Sequence, residues 1–179
     1  NLTLTTGLRL EKRKADYSDS ALVAHGMNES LWGGRIALHY QTTANAMIYG
    51  LVSRGYKAGG VNSDPGLDAA DREFTTEQMW NIETGIKGVW LDGSLQAQLS
   101  AFYQLRDDIQ IKQSLVQPIA ETNAPSFTDY FGNSAKGHNY GVETTLNWLA
   151  TDTVTLFSAV GWLQTEYDTP ASEELNRRR

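Results

Sequence analysis

Cysteine is absent from the 179 residues, so neither disulfide nor thiolate chemistry is open to the chain. Proline is scarce, at four residues. No apolar run approaches the length of a transmembrane helix. That excludes a helical span but not a membrane barrel, whose strands hide an apolar face in every second residue. Positive charge is not in excess. The net charge is −6 and no basic face is evident, which argues against a nucleic-acid partner. The run Arg177-Arg178-Arg179 reads as a solvated tail. No signal peptide opens the chain, and Asn1 already leads into a strand-like pattern, so the chain reads as an excerpt of a longer precursor.

Catalytic and metal-binding patterns are missing too. His25, His39 and His138 lie far apart and share no metal-ligand spacing. There is no Gly-x-Ser-x-Gly, P-loop or dinucleotide fingerprint, so no enzyme and no cofactor are expected. Asp107 and Asp108 are neighbours, and neighbours in a strand point to opposite faces. Asn62, Asp64, Asp68, Asp71 and Glu73 crowd one stretch around Gly66. Their spacing departs from an EF-hand, and a solvated acidic loop is the expectation. Asn28-Glu29-Ser30 matches a glycosylation pattern by chance alone.

What the chain has is period-two alternation. Seven segments carry it, at 2–11, 31–41, 45–56, 77–90, 94–112, 139–148 and 153–167. In the fifth, Leu95, Ala97, Leu99, Ala101, Tyr103, Leu105, Ile109 and Ile111 share one parity. Glutamines, serines and charges fill the other, with Phe102 the exception. A strand sends the two sets to opposite faces, one oily and one wet. The third segment is ambiguous, being apolar on both parities over 47–52. Short turns are expected at 42–44, 91–93 and 149–152, and long polar loops at 12–30, 57–76 and 113–138. Short-long alternation predicts an all-β fold: an antiparallel up-and-down meander of about seven strands, part of a transmembrane β-barrel.

Aromatics bracket three of these segments on one parity: Trp32 with Tyr40, Trp80 with Trp90, and Tyr140 with Trp148. At ~3.3 Å per residue and a tilt near 40°, ten residues climb about 25 Å, the height of the apolar band of an outer-membrane barrel. Rings with a polar tip belong at its two interfaces. The opposite parity should face the lumen, where His39, Glu83, Lys87 and Glu143 are the candidates.

Four stretches resemble the TonB-dependent receptor family. Ser53-Arg54-Gly55-Tyr56-Lys57-Ala58-Gly59-Gly60-Val61-Asn62 is similar to a strand end entering an outer loop. Glu77 to Lys87 resembles the strand written PE-x-x-x-N-x-E-x-G-x-K, with Thr76 where proline is usual. Phe102-Tyr103 with Asp107-Asp108-Ile109-Gln110 resembles the next strand. Gly132-Asn133-Ser134-Ala135-Lys136-Gly137, closing on Gly141-Val142-Glu143, resembles the one after. The resemblance covers 53–167 in order. It implies a barrel of about 22 strands filled by a plug domain. It implies import of a scarce nutrient, a ferric chelate (siderophore) first among the options, driven by the TonB energy-coupling complex through the plug. It also implies outer-membrane lipid as surroundings in a Gram-negative bacterium. No plug is visible, so residues 1–179 are expected to be an internal part of the barrel wall. Lys57, Asn62 and Asp64 are the outer-loop candidates for contact with the small-molecule ligand. A sheet cut from a barrel has two bare edges, through which an isolated fragment would self-associate. Two other readings are a soluble β-sandwich adhesive or structural module, with these aromatics as its dry core, and an enzyme built into a smaller barrel.

Overall fold

The computed structural model describes residues 1–18, 24–64, 66–118, 124–133 and 136–168. The arginines 177–179, and Ser134 and Ala135 of the glycine-bounded motif, lie outside the described residues.

Chain order runs β1 (Leu2–Ser18), β2 (Ala24–Thr43), β3 (Ala46–Lys57), β4 (Gly60–Val61), a single helical turn α1 (Ala69–Arg72) and β5 (Glu73–Phe74). It continues through β6 (Glu77–Trp90), β7 (Leu95–Asp107), β8 (Gln110–Pro118), β9 (Pro125–Asn133), β10 (Gly137–Thr151) and β11 (Val154–Tyr167). The seven long strands form one sheet in the order β1-β2-β3-β6-β7-β10-β11. Every neighbouring pair in it is antiparallel. The short pieces pair only with each other, β4 with β5 and β8 with β9. No described helix is long and apolar enough to cross a membrane.

Burial across this sheet is inverted. Leu2, Leu8 and Leu10 are 65%, 72% and 75% exposed, and Ile36, Ile82, Leu99 and Leu105 are exposed with them. Ser100, on the wet parity of β7, is only 4% exposed. Among the described residues no second layer covers the apolar face. A soluble sandwich would have packed those side chains between two sheets. Here the apolar face is the exposed one and the polar face holds buried residues such as Ser100.

Two expectations need correction. The segment 94–112 is not one strand. β7 stops at Asp107, and Asp108 takes φ 55, which turns the chain out of the sheet. Ile109 therefore leaves the oily parity and is buried in the outer loops, at 2% exposure. The long polar stretches are also more ordered than loops. β1 and β2 stay paired out to Ser18 and Ala24, and β8 and β9 pair antiparallel from Gln110 opposite Asn133 to Pro118 opposite Pro125, across most of 113–138. Beyond Leu10 and Trp32 backbone pairing persists while the run of apolar outward positions that would reveal it stops.

Candidate functional site

The pairing register places six aromatics on one face. Tyr40 of β2 stands opposite Ile48 of β3, which stands opposite Ile86 of β6. Even positions of β2 and β6 thus share a face. Trp80 stands opposite Leu105 of β7, which stands opposite His138 of β10, bringing the even positions of β10 to the same side. Trp32, Tyr40, Trp80, Trp90, Tyr140 and Trp148 all follow. Near the short turns, Trp90, Leu95, Trp148 and Leu156 make one cross-strand row. Toward the long loops, Trp32 meets Trp80 edge-on at 6.0 Å, and Tyr140 meets Trp162 at 5.7 Å. The Arg54 guanidinium lies 4.1 Å from the centre of the Trp32 ring, donating to the Trp32 carbonyl. Its charge can reach water while its stem stays against the ring.

The opposite face carries a continuous polar row: Thr3, His39, Tyr49, Gly85, Ser100, Glu143 and Gly161, one from each long strand. Tyr49 is its centre, at 5% exposure. Its hydroxyl donates to Glu83 Oε1 at 2.7 Å, the His39 ring stacks on it at 6.2 Å, and Lys87 Nζ lies 5.1 Å from its ring centre. His39, Glu83 and Lys87 are thus one cluster, with Glu143 in the same row. The ambiguous parity of 47–52 has its cause here, because Tyr49 and Leu51 are apolar surfaces on the inner side. Phe102, the exception on β7, covers Gly141 across the strand pair. A Cβ on that glycine would come within 2.7 Å of the ring.

Two inward-facing levels nearer the long loops, past the row of Ala37, Leu51, Glu83, Phe102 and Gly141, the residues Arg35, Ser53, Asn81, Gln104 and Asn139 form another inner row. Asn139 donates to Gln104 Oε1 at 3.2 Å. Among the described residues, the buried oxygens Asn81 Oδ1 and Asn139 Oδ1 accept no hydrogen bond. This row offers acceptors to whatever lies against it.

Above the sheet, the outer loops knit into a cap in which Leu67, Ile109 and Tyr130 are buried. Asn62 is buried at its edge. Its Nδ2 donates to the carbonyls of Asp71 and Phe131, at 2.9 and 2.7 Å, and its Oδ1 accepts from Phe131 N at 2.8 Å. Asn62 is a staple between the 58–76 stretch and the β8–β9 hairpin. Gln110 does similar work, donating to the carbonyls of Lys57, Ala58 and Thr75. Glu77 accepts from Arg106 Nε at 2.9 Å and from Gln110 N at 3.0 Å. Asp64 accepts from Gly66 N at 2.8 Å, closing a turn. Lys57 Nζ is 5.9 Å from the Phe131 ring centre, and Phe74 packs on that ring at 5.8 Å. On the hairpin, Lys112 pairs with Asp129 at 2.6 Å and, with Ser114, holds that carboxyl below its ordinary range. Asp107, 3.0 Å from Lys136, raises the ammonium above its own. Among the described residues, no group of three or more His, Asp or Glu side chains could hold a metal ion.

A model of the TonB dependent receptor-like β-barrel matches residues 1–177. The chain belongs to the TonB-dependent receptor family. It is 30% identical over 117 residues to the pesticin receptor of Yersinia pestis, covering 64% of this chain and 15% of that protein. It superposes on the ferric yersiniabactin uptake receptor of Yersinia pestis with a TM-score of 0.69 at 21% identity, over 93% of this chain and 24% of that one. For the siderophore receptor PiuA of Acinetobacter baumannii the TM-score is 0.67 at 18% identity, over 93% and 23%. The chain thus spans about a quarter or less of these relatives. TonB-dependent receptors are outer-membrane proteins of Gram-negative bacteria, which places this sheet in that membrane.

In the TonB-dependent receptor frame the β6 motif acquires a physical meaning. Asn81, Glu83, Gly85 and Lys87 are all inner-parity residues of one strand, and Gly85 leaves the room that the Tyr49 ring fills. Two loop staples stand outside the site residues expected from the sequence: Gln110, and Asn133, whose Nδ2 donates to the carbonyls of Thr75 and Asp108 at 3.0 and 2.8 Å. Both sit inside stretches that carry the family resemblance, and that was the signal that marked them.

Proposed function

We propose that this chain is barrel wall of an outer-membrane active transporter that takes up a ferric chelate, energised by the TonB complex. The observation that carries the reading is the inversion of the sheet. Its apolar face is bounded by aromatic rows, and its polar face is continuous across seven strands. Lipid needs the first and a filled lumen the second. Relatives whose names refer to siderophores or ferric yersiniabactin support the choice of cargo.

On this reading Trp32, Tyr40, Trp80, Trp90, Tyr140 and Trp148 mark the two membrane interfaces. Residues 1–179 are wall throughout, and a plug domain elsewhere in the polypeptide fills the lumen and contacts TonB. Glu83 and Glu143, with the open acceptors of Asn81 and Asn139, offer the plug an acceptor-rich surface that suits arginine or lysine. Lys57 and Asp64 stand where an incoming chelate would pass, whereas Asn62 is occupied in holding the cap together. Cut out of its barrel, the sheet would expose β1 and β11 and associate through them.

The test is uptake. Gram-negative cells whose only copy of the intact receptor is intact should accumulate a radiolabelled ferric siderophore when TonB is present, and should lose accumulation when the receptor or TonB is deleted. Accumulation that persists without the receptor across a panel of ferric chelates would sink the cargo assignment.

A further inference from the structure

We infer that His138 is a proton-operated clasp on the outer end of β11. The charged imidazole fastens that end to β10 through two carboxylates, and the neutral ring releases one of them. The clasp is independent of the cargo and rests only on the membrane placement above. His138 stands between Leu105 of β7 and Glu166 of β11, in the cross-strand row that also holds Trp80. That row is the outer aromatic level, so the ring meets the pH of the medium. Its side chain keeps 21% exposure, enough to exchange a proton with water.

Both ring nitrogens face acids. Nδ1 is 3.3 Å from Asp168 Oδ1, and Nε2 is 3.4 Å from Glu166 Oε2. A neutral imidazole has one N–H and serves one of them, turning a lone pair toward the other. An imidazolium donates to both. Stacking holds the ring in the bridging position, against Tyr103 at 5.6 Å and against Tyr140 at 6.2 Å. The Tyr140 hydroxyl donates to Glu166 Oε1 at 3.3 Å, which fixes that carboxylate in turn. With ring and acids both placed, the proton is the variable that remains.

The charges around the ring leave that proton a role. Lys136 pairs with Asp107 at 3.0 Å and has Asp108 and Asp168 in its field. One ammonium therefore faces three acids. Among the described residues, the ion-pair partner of Glu166 is His138 alone. The backbone shares the joint: Asp168 N donates to Lys136 O at 2.9 Å, just past the end of β11. Fastening the Asp168 carboxylate to His138 thus protects a main-chain bond as well.

The experiment measures hydrogen exchange in the intact receptor in lipid vesicles, at about pH 7.5 and about pH 5.5, across the range in which histidine changes charge. Each rate is divided into the intrinsic rate at the same pH, so that protection alone is compared. Protection over 136–140 and 164–168 should rise roughly two- to fivefold on acidification, the effect of an exposed ion pair. His138→Gln, a planar side chain that takes up no proton, should show no rise. Glu166→Gln with Asp168→Asn, which leaves the imidazole to titrate with no anion to hold, should show none either. The short-turn ends of β6 and β7 should keep one protection at both pH values. No rise in the wild type, a rise that survives in either variant, or an equal rise at those short-turn ends would overturn the inference.

Discussion

The Tyr49 ring occupies the place where Gly85 has no side chain: a Cβ on Gly85 would lie 2.8 Å from two ring carbons. The two residues face each other across β3 and β6. Only with the ring lowered onto the strand does the Tyr49 hydroxyl donate to Glu83, and the His39 and Lys87 contacts converge on the same ring. Gly85→Ala is expected to displace the ring, and to crowd the Leu99 carbonyl oxygen 2.6 Å from the added Cβ, at a cost of roughly 1–3 kcal/mol, as overpacking does elsewhere. Tyr49→Phe should cost less, removing one hydrogen bond worth about 1 kcal/mol. Urea unfolding of the intact barrel in lipid vesicles checks both. A Gly85→Ala barrel as stable as wild type would remove Tyr49 from its assigned role.

Faces can be tested one residue apart. Ile86 shares the outward row with Tyr40, Ile48 and Leu99, whereas Lys87 points inward at Tyr49. Ile86→Lys should cost roughly 2–4 kcal/mol near the bilayer midplane. Lys87→Leu should fold nearly as well as wild type and disturb only inner contacts. The reverse ranking would invert the register, since a slip of one residue flips every side chain.

The turn between β6 and β7 carries a backbone cost. Leu91 has φ 52 and is 60% exposed, so it holds a left-handed conformation with little packing in return. That region costs a branched residue roughly 1–2 kcal/mol. Asparagine tolerates it and is favoured in tight hairpins. Leu91→Asn should therefore raise stability by about 1 kcal/mol in the same unfolding assay.

The outer cap should loosen apart from the barrel. Asn62→Leu leaves the Phe131 N–H and two carbonyls without their partner, a local loss of about 1–3 kcal/mol. Hydrogen exchange should accelerate over 58–76 and 108–133, with β6 and β7 unchanged. Acid should act on the hairpin as well. The carboxyl of Asp129 is held below its unfolded value by Lys112 and Ser114. Its contribution is present above the ordinary carboxylate range and fades as pH falls through the depressed value. Amide protection in β8–β9 should fall on that acid limb, and Asp129→Asn should abolish this part of the pH dependence.

Lipid made the sheet legible. It demands an apolar side chain at every second position, so Leu95 to Leu105 announced both strand and face. The signal ends where lipid ends. Lys12 to Ser18 pair as regularly as Leu2 to Leu10, yet their outward even positions turn polar and the apolar Ala15 and Tyr17 fall on the odd ones, so the oily parity breaks off and they read as loop. Ile109 and Ile111 misled because their parity continues that of Leu105, while the turn at Asp108 is a backbone event that side-chain polarity does not record. Asn62 read as a loop oxygen free for a ligand. Its burial depends on Phe131, sixty-nine residues further on, and no local pattern carries that contact.

The central claim is that odd positions of β7 face lipid and even positions face the lumen. This chain has no cysteine, so, with any cysteine elsewhere in the receptor replaced by serine, single cysteines at positions 97 to 105 can each carry a nitroxide in the intact receptor in vesicles. Collision with oxygen, which concentrates in lipid, should peak at 97, 99, 101, 103 and 105. Collision with a water-soluble nickel chelate should be highest at 98, 100, 102 and 104, or low at both parities there if the plug shields them, while oxygen keeps its period of two. Oxygen access that peaked at the even positions, or showed no period of two, would contradict the account.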